Sequence, residues 1–250
     1  MNSVNSVSDL LLTERVGAAK DIALLTMNRP EVRNALNPEL GQALTEAFRA
    51  ADEDPSVRVV VLTGAGPVFC AGMDLKSFAQ GGKMTGMTWF YQEGISKPTI
   101  AALNGTAVAG GFELALACDL IVASEDAKVG IPEVKRGLFA AGGGTTLSQR
   151  IPLAVALELG LTGEPITARR AHEIGLVNQV VPADSVQRAA IELAEKIAAN
   201  APLSLAITKK LMRERRWGTP EETRAVFGSA DAREGAIAFA ERRAPIWTGK

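Results

Sequence analysis

The sequence has few of the residues on which several kinds of protein depend. Of its 250 residues only two are cysteines, Cys70 and Cys118, and only one is a histidine. Both cysteines lie among apolar neighbours, so we interpret them as buried thiols of a reducing compartment and not as a disulfide framework. A single histidine, with no pair of cysteines two residues apart, argues against a zinc site, and we predict no bound metal.

Excess charge and long apolar runs are also missing. The chain has 27 Lys and Arg residues against 28 Asp and Glu residues, so it has no overall basic field for nucleic acid or an anionic membrane. No apolar run is long enough to cross a bilayer, and the N-terminal segment lacks a basic stretch followed by an apolar one. We therefore predict a cytoplasmic, soluble protein without a nucleic acid or membrane partner.

Three familiar glycine-containing motifs fail on their spacing. In the segment Gly64 to Phe69, the third glycine position of a dinucleotide site is occupied by Phe69, and no acidic residue stands at the usual distance beyond it. The run Gly81 to Lys83 lacks the upstream glycine and the downstream Ser or Thr of a phosphate loop. No GxSxG nucleophile elbow occurs. These classes of site are disfavoured.

The content of apolar residues, 47%, and the chain length predict one substantial α/β core. Short apolar runs predict strands at Leu10 to Val16, Ile22 to Met27, Val57 to Gly64, Thr99 to Leu103 and Leu120 to Ala123. Helical spacing predicts helices from Asn37-Pro38 to Asp54-Pro55 and at Gly111 to Ala117, Ala168 to Ile174, Ser185 to Ala199, Leu203 to Trp217 and Ala230 to Arg243. The alternation predicts a parallel or mixed sheet with crossovers.

The most informative stretch is NGTAVAGGFELALACD, from Asn104 to Asp119. A glycine-rich turn that opens an apolar helix presents backbone N–H groups to negative charge, and it brings Glu113 beside them. Glu133 follows twenty positions later, after Pro132. Two carboxylates near such donors indicate acid/base chemistry on an acyl carbonyl. On spacing alone, helix capping and the helix dipole explain each glutamate at least as well.

Four segments in order resemble the crotonase family, also called the enoyl-CoA hydratase/isomerase family. They are NRPEVRNALN at Asn28 to Asn37, FCAGMDLKSF at Phe69 to Phe78, the glycine-rich stretch above, and KVGIPEVKRG at Lys128 to Gly137. The resemblance implies an α/β fold made of a crotonase-like spiral of repeated ββα units. It implies a core over residues 1–195 and a C-terminal helical oligomerisation region over 196–250, within one structural unit that forms trimers or dimers of trimers.

The resemblance also assigns roles to residues. Met73 and Gly110 are expected to donate the two backbone N–H groups of an oxyanion hole. Glu113 is expected to hold the attacking water, and Glu133 to deliver a proton to C2 of the acyl group. Because both carboxylates are present, we predict reversible syn addition of water to trans-2-enoyl-CoA. An isomerase, another crotonase-type reaction on an acyl-CoA, and a catalytically reduced CoA-thioester binder remain alternatives.

The family pattern further implies where coenzyme A binds. The expected contacts are Arg33, Ala35, Asp74, Leu75 and Lys76, and a solvated surface lysine is the alternative for Lys76. Phe239 and Arg242 match positions that reach the acyl and coenzyme ends, in some members from a neighbouring subunit. The substrate is expected to arrive as a coenzyme A thioester, so no separate cofactor is predicted.

Other features are open to two interpretations. Ala141 stands where a glycine backbone commonly helps to position the water, and a shifted water or a different acyl group are both open for this altered loop. The segment Phe78 to Gly94, with the aromatic run Trp89 to Tyr91, corresponds to a part of the family that borders the acyl pocket, but for the aromatic residues we favour the core side of a short helix. For His172 and for the basic residues from Lys209 to Arg216, a solvated or salt-bridged surface is favoured over catalysis or nucleic acid binding.

Overall fold

The computed structural model describes the backbone of residues 7–81 and 87–250, and their side chains from residue 9 onward. Residues 82–86 lie outside the described residues. They include parts of the glycine-lysine run 81–83 and of the segment that is expected to border the acyl pocket. Within the described ranges, no helix has both the length and the apolar character that crossing a membrane requires.

The strands are short and most of them are buried. In chain order they are β1 (Leu11–Val16), β2 (Ile22–Met27), β3 (Val59–Gly64), β4 (Val68–Cys70), β5 (Thr99–Leu103), β6 (Thr106–Val108), β7 (Leu120–Ser124), β8 (Lys128–Gly130), β9 (Ile166–Thr167) and β10 (Gln179–Val181). One sheet has the order β1-β2-β3-β5-β7-β10, and the other has the order β4-β6-β8-β9. All neighbouring strands pair in parallel except β1 with β2 and β8 with β9.

The helices connect and cover these sheets. They are α1 (Val7–Leu10), α2 (Pro38–Glu53), α3 (Leu75–Ala79), α4 (Thr88–Gln92), α5 (Gly110–Ala117), α6 (Leu153–Thr162), α7 (Ala168–Glu173), α8 (Val186–Ala198), α9 (Pro202–Glu214), α10 (Pro220–Phe227) and α11 (Ala230–Glu241). Short 3-10 helices occupy Pro30–Val32, Pro132–Arg136, Gly144–Gln149 and Ala183–Ser185.

The chain repeats one pattern as it winds. The pairs β3 and β4, β5 and β6, and β7 and β8 each place their first strand in the six-stranded sheet and their second in the four-stranded sheet. A helical segment follows each pair before the next turn begins. Because parallel strands need such crossovers, the two sheets grow side by side along one spiral. The predicted spiral of repeated ββα units, with helices at the C-terminus, is confirmed.

Alternate residues of the central strands supply two cores. Ile22 and Leu24 of β2 pack with Val59 and Val61 of β3 against α8, while Ala23 and Leu25 of β2 face the other sheet. A strand buried on both faces has no polar alternation, which explains the continuous apolar run in β3. This packing fixes the carboxyl ends of the strands, from which the loops of the cleft emerge.

The longer elements match their sequence predictions closely. Asn37 caps α2 by accepting a hydrogen bond from the Leu40 N–H (3.0 Å), and Pro38 occupies the first turn, as the asparagine-proline pair predicts. In α4, Phe90 is fully buried and stacks on Phe48 with ring centroids 3.9 Å apart. The core side of a short helix is therefore confirmed for this residue.

The last three helices expose apolar side chains. Among the large exposed residues there, Trp217 is 94% exposed, and others are Met212, Phe227, Ile237, Phe239 and Ile246. The predicted boundary of the core at residue 195 falls within α8, which packs on the sheet through Val186, Ala190 and Ala194. Helix α8 thus packs on the core, and the predicted division into a core and a C-terminal oligomerisation region stays a prediction.

An ion network joins α9 to the core. The Asp119 carboxylate accepts hydrogen bonds from the backbone N–H and the hydroxyl of Thr99, at 2.8 and 2.9 Å. It also binds Lys209 (Nζ to Oδ2, 2.7 Å) and Arg213 (Nε to Oδ1, 2.9 Å). Burial lowers the pKa of Lys209, and the charge of Asp119 opposes that effect. The basic residues of α9 that are nearest the core are therefore paired within the chain.

We expect Asp119→Ala to destabilise the protein by about 3 kcal/mol, because it leaves two cations beside the core without their carboxylate. Urea unfolding followed by circular dichroism measures this change. Asp126→Ala, at an exposed turn, is the control and should change the free energy of unfolding by less than about 0.5 kcal/mol. Equal stability of the two variants would show that the network does not hold α9.

Candidate active site

A cleft of about 1630 Å³ runs between the spiral core, α4 and α9. Its walls bring together residues that are far apart in the sequence. The predicted site residues that line it are Arg33, Met73, Leu75, Gly110, Glu113, Glu133 and Ala141. The structure therefore places both glutamates and both backbone donors on one cavity.

The backbone at Met73 is held by its neighbours and not by its side chain. Leu36 donates its N–H to the Gly72 carbonyl (2.7 Å) and accepts from the Asp74 N–H (2.8 Å). In this parallel bridge the residues on either side of Met73 form the hydrogen bonds. The Met73 N–H is left to face the cleft, so its position depends on the bridge to Leu36.

The second donor belongs to the first residue of α5. The Gly110 N–H has no partner within the helix, because the first residues of a helix never have one. A Cβ atom built on Gly110 would lie 3.7 Å from the Met73 nitrogen, so the two donors lie side by side. Such a pair of N–H groups, reinforced by the helix dipole, stabilises a developing oxyanion.

The turn that aims Gly110 is strained. Ala109 has φ 52° and ψ −136°, a backbone conformation that residues other than glycine rarely adopt. Its N–H donates to the Gly130 carbonyl of β8 (2.9 Å), and its own carbonyl accepts from Glu113 (3.0 Å). These bonds hold the chain in the sharp turn from β6 into α5. Ala109 thus takes up a backbone conformation that is typical of glycine.

Glu113 is buried in the first turn of α5, with 5% of its surface exposed. Burial raises its pKa, while backbone hydrogen bonds from Gly144 and Gly142 oppose the shift. The Gly144 N–H lies 2.9 Å from Oε1, and a Cβ atom on Gly142 would lie 2.9 Å from Oε2. Two N–H donors stabilise the ionised form, so this carboxylate has the environment of a base.

Glu133 has a different environment in the first turn of the 3-10 helix after Pro132. Neither carboxyl oxygen has a side-chain or backbone partner elsewhere in the described part of the chain, and both are shielded from solvent. Burial raises the pKa of Glu133 to about 7, and the charge of Glu113 adds to the effect. A carboxyl group that keeps its proton near neutral pH has the environment of an acid.

The predicted coenzyme contacts are only partly brought into the cleft. Arg33 and Leu75 line it, whereas Ala35, Asp74 and Lys76 lie beside it. The Asp74 carboxylate accepts from the N–H groups of Lys76 and Ser77 and so caps α3. Lys76 is exposed, and both its surface role and its coenzyme role remain predictions.

Two C-terminal residues that are predicted to contact the substrate lie away from the cleft of their own chain. Phe239 is 87% exposed on α11, and Arg242 follows that helix in a left-handed conformation.

His172 is exposed, and its Nδ1 lies 2.8 Å from the Val177 carbonyl oxygen. The surface position predicted for His172 is confirmed.

Sequence reasoning missed several residues of the site. The Gly142 and Gly144 N–H groups serve Glu113, although only Ala141 of that loop was expected to help position the water. Ala141 lines the cleft, and its role remains a prediction. Tyr91 and Arg150 also line the cleft. Consecutive glycines signal an unusual backbone, but they do not show which N–H meets a carboxylate.

Among the described residues, no group of three or more His, Cys, Asp or Glu side chains is arranged to hold a metal ion. The cleft brings the carboxyl groups of Glu113 and Glu133 together with backbone N–H donors. These groups can stabilise an enolate-like oxygen and transfer protons on one face of an acyl group.

This combination of a ββα spiral with paired backbone donors is the crotonase-like fold. The sequence profile described as enoyl-CoA hydratase/isomerase matches residues 17–250. The chain belongs to the enoyl-CoA hydratase/isomerase family.

Known relatives match along nearly their whole length. Enoyl-CoA hydratase EchA19 of Mycobacterium tuberculosis is 41% identical, with 98% of each chain covered. The (E)-benzylidenesuccinyl-CoA hydratase of Thauera aromatica is also 41% identical, with 91% of this chain and 96% of the relative covered. A crystal structure of enoyl-CoA hydratase from M. tuberculosis H37Rv superposes with a TM-score of 0.90 at 48% identity, covering 97% of this chain and 100% of that one.

We expect Ala109→Gly to stabilise the protein by about 1 kcal/mol. Glycine removes strain of about 1–3 kcal/mol, and its greater freedom in the unfolded chain offsets part of that gain. Ala236→Gly, at an exposed position within α11, is the matched control and should destabilise by about 0.5–1 kcal/mol. Chemical unfolding measures both variants, and destabilisation by Ala109→Gly would contradict the strain.

Proposed function

We propose that this protein is an enoyl-CoA hydratase that adds water reversibly and syn to a trans-2-enoyl-CoA. The observation that carries the proposal is the contrast between Glu113 and Glu133. Burial raises the pKa of both carboxyl groups of this one cleft, but two backbone N–H donors oppose the shift at Glu113, whereas the pKa of Glu133 rises to about 7. Addition of water to a conjugated thioester needs one base and one acid on the same face.

Glu113 is the base of this reaction. The N–H groups of Gly142 and Gly144 favour the ionised form of its carboxylate against the effect of burial and hold it in place, so it accepts a hydrogen bond from water beside C3. As the water oxygen bonds to C3, its proton passes to Glu113 and the electrons of the double bond move towards the thioester carbonyl. The loop that contains Ala141 lines the same cleft and contacts Glu113 through the Gly144 N–H.

Glu133 is the acid. With a pKa near 7, its carboxyl group holds a proton that it transfers to C2 as the carbonyl re-forms. One turnover leaves Glu113 protonated and Glu133 ionised, so proton exchange with solvent restores the starting state. Reversal of each step dehydrates a 3-hydroxyacyl-CoA with the same two groups.

Between these steps the thioester oxygen carries negative charge. The N–H groups of Met73 and Gly110 lie side by side and are free to donate to it. In the best-studied hydrolases each such donor contributes about 3 kcal/mol to stabilising the transition state. Coenzyme A would lie towards Arg33 and Leu75, at the end of the cleft that these residues line.

Hydration is favoured over the other reactions of the family. A double-bond isomerase moves one proton between two carbons and needs only one carboxylate, whereas this cleft holds two in different environments. The relatives compared above are named as hydratases, at 41% identity. Because Phe239 lies outside the cleft of its own chain, its expected role at the acyl end needs a neighbouring subunit, as in a homotrimer or a dimer of trimers.

We expect Glu113→Gln and Glu133→Gln each to lower kcat for trans-2-butenoyl-CoA by about 10²- to 10⁴-fold, since each removes one proton-transfer group. Loss of absorbance of the conjugated thioester measures the rate. Glu158→Gln, at an exposed position on α6, is the control and should retain full activity. Folded variants that retain full rates on enoyl-CoAs of several lengths would contradict the proposal.

A further inference from the structure

Three cations lie on the wall of the cleft at the C-terminal end of α5. Arg213 donates to the Ala117 carbonyl (2.6 Å), and Arg150 donates to the Leu116 carbonyl (2.5 Å). Lys209 completes the group. The N-terminal end of the same helix carries Gly110, so these cations lie beyond Glu113 when seen from the oxyanion hole.

Only two of these cations form ion pairs within the described part of the chain. Arg213 and Lys209 share the single carboxylate of Asp119. Arg150 forms no ion pair in the described ranges, and its guanidinium donates to the Leu116 carbonyl. Burial and the neighbouring charge of Arg213 lower the pKa of Arg150, the charge of Asp119 opposes them, and the residue as a whole remains exposed. An anion beside Arg150 would give it a charge partner of its own and offset the repulsion from Arg213.

A small chamber adjoins the cleft at this point. It measures about 50 Å³ and is bounded by Glu113, Tyr91, Thr146, Arg150 and Arg213, among others. Because Glu113 borders both the chamber and the proposed position of C3, the chamber adjoins the part of the cleft that an acyl chain beyond C3 would enter. Burial raises the pKa of Tyr91, so its hydroxyl stays protonated and adds a neutral donor to the wall.

We propose that the preferred acyl group ends in a carboxylate a few carbons beyond C3, and that Arg150 binds this carboxylate at the chamber beside Glu113. The inference rests on the proposed hydratase function and names its substrate class. Arg150 acts as a specificity-determining residue, because its guanidinium meets the substrate and not the reacting carbons. Charge-assisted hydrogen bonds from a guanidinium to a carboxylate are among the stronger ones in proteins.

Three substrates of equal length test the proposal in the full-length protein. They are trans-2-hexenoyl-CoA, the six-carbon trans-2-enedioyl-CoA with a free terminal carboxylate, and the methyl ester of that carboxylate. We expect kcat/KM for the free acid to exceed kcat/KM for the ester at least tenfold. Equal values for the acid and the ester would overturn the proposal without the use of any variant.

Variants then assign the preference to one side chain. We expect Arg150→Gln to reduce the acid-to-ester ratio at least tenfold and Arg150→Lys to retain part of it. Arg169→Gln, an exposed arginine on α7 outside the cleft, is the control and should leave the ratio unchanged. A ratio within twofold of the wild-type value in Arg150→Gln would overturn the role of Arg150.

A binding measurement keeps this inference separate from the proposed function. If none of the three substrates is hydrated, the hydratase proposal fails. Calorimetry with saturated adipyl-CoA and hexanoyl-CoA then tests the carboxylate site alone. At least tenfold tighter binding of adipyl-CoA, lost in Arg150→Gln, would support the site, and equal affinities would overturn it.

Discussion

The whole site depends on how closely the start of α5 approaches β4. A Cβ atom on Gly111 would lie 2.3 Å from the Cys70 carbonyl oxygen, so only glycine permits this contact. The approach places Gly110 beside Met73, and it accounts for the strained turn at Ala109. Buried strands on either side keep the turn from relaxing. The proposed oxyanion hole is therefore a consequence of backbone packing, and the side chain of Met73 contributes little to it.

The chemistry proposed for the cleft depends on two glutamate carboxyl groups that differ only in their surroundings. Glu113 lies one turn into α5, where the glycine loop supplies N–H donors, whereas Glu133 lies in a 3-10 helix that offers its carboxyl oxygens no such partners. In the proposed reaction, environment alone thus separates the base from the acid. Helix α5 ends at carbonyl groups that bind Arg150 and Arg213, so one short helix connects the proposed oxyanion hole, base and specificity site.

Sequence patterns predicted the elements that are long enough to show a period, such as α2 and β3, together with the residues of the motifs. They did not predict β4, β6 and β8, because three residues are too few to show alternation. Nor did they identify Arg150, whose neighbours on the wall come from α5, α9 and the glycine loop. Contacts of this kind depend on tertiary packing, which a local pattern does not contain.

The central claim is that Glu133 keeps its proton up to a higher pH than Glu113 and titrates near pH 7. Infrared or ¹³C NMR titration of the two glutamates tests it directly. The Glu113→Gln and Glu133→Gln variants assign each titrating signal to its residue. The account predicts one carboxyl group that titrates near pH 7. That signal should disappear in Glu133→Gln and move to a lower pH in Glu113→Gln, because the charge of Glu113 raises the pKa of Glu133. Complete ionisation of both groups below pH 5 would contradict it.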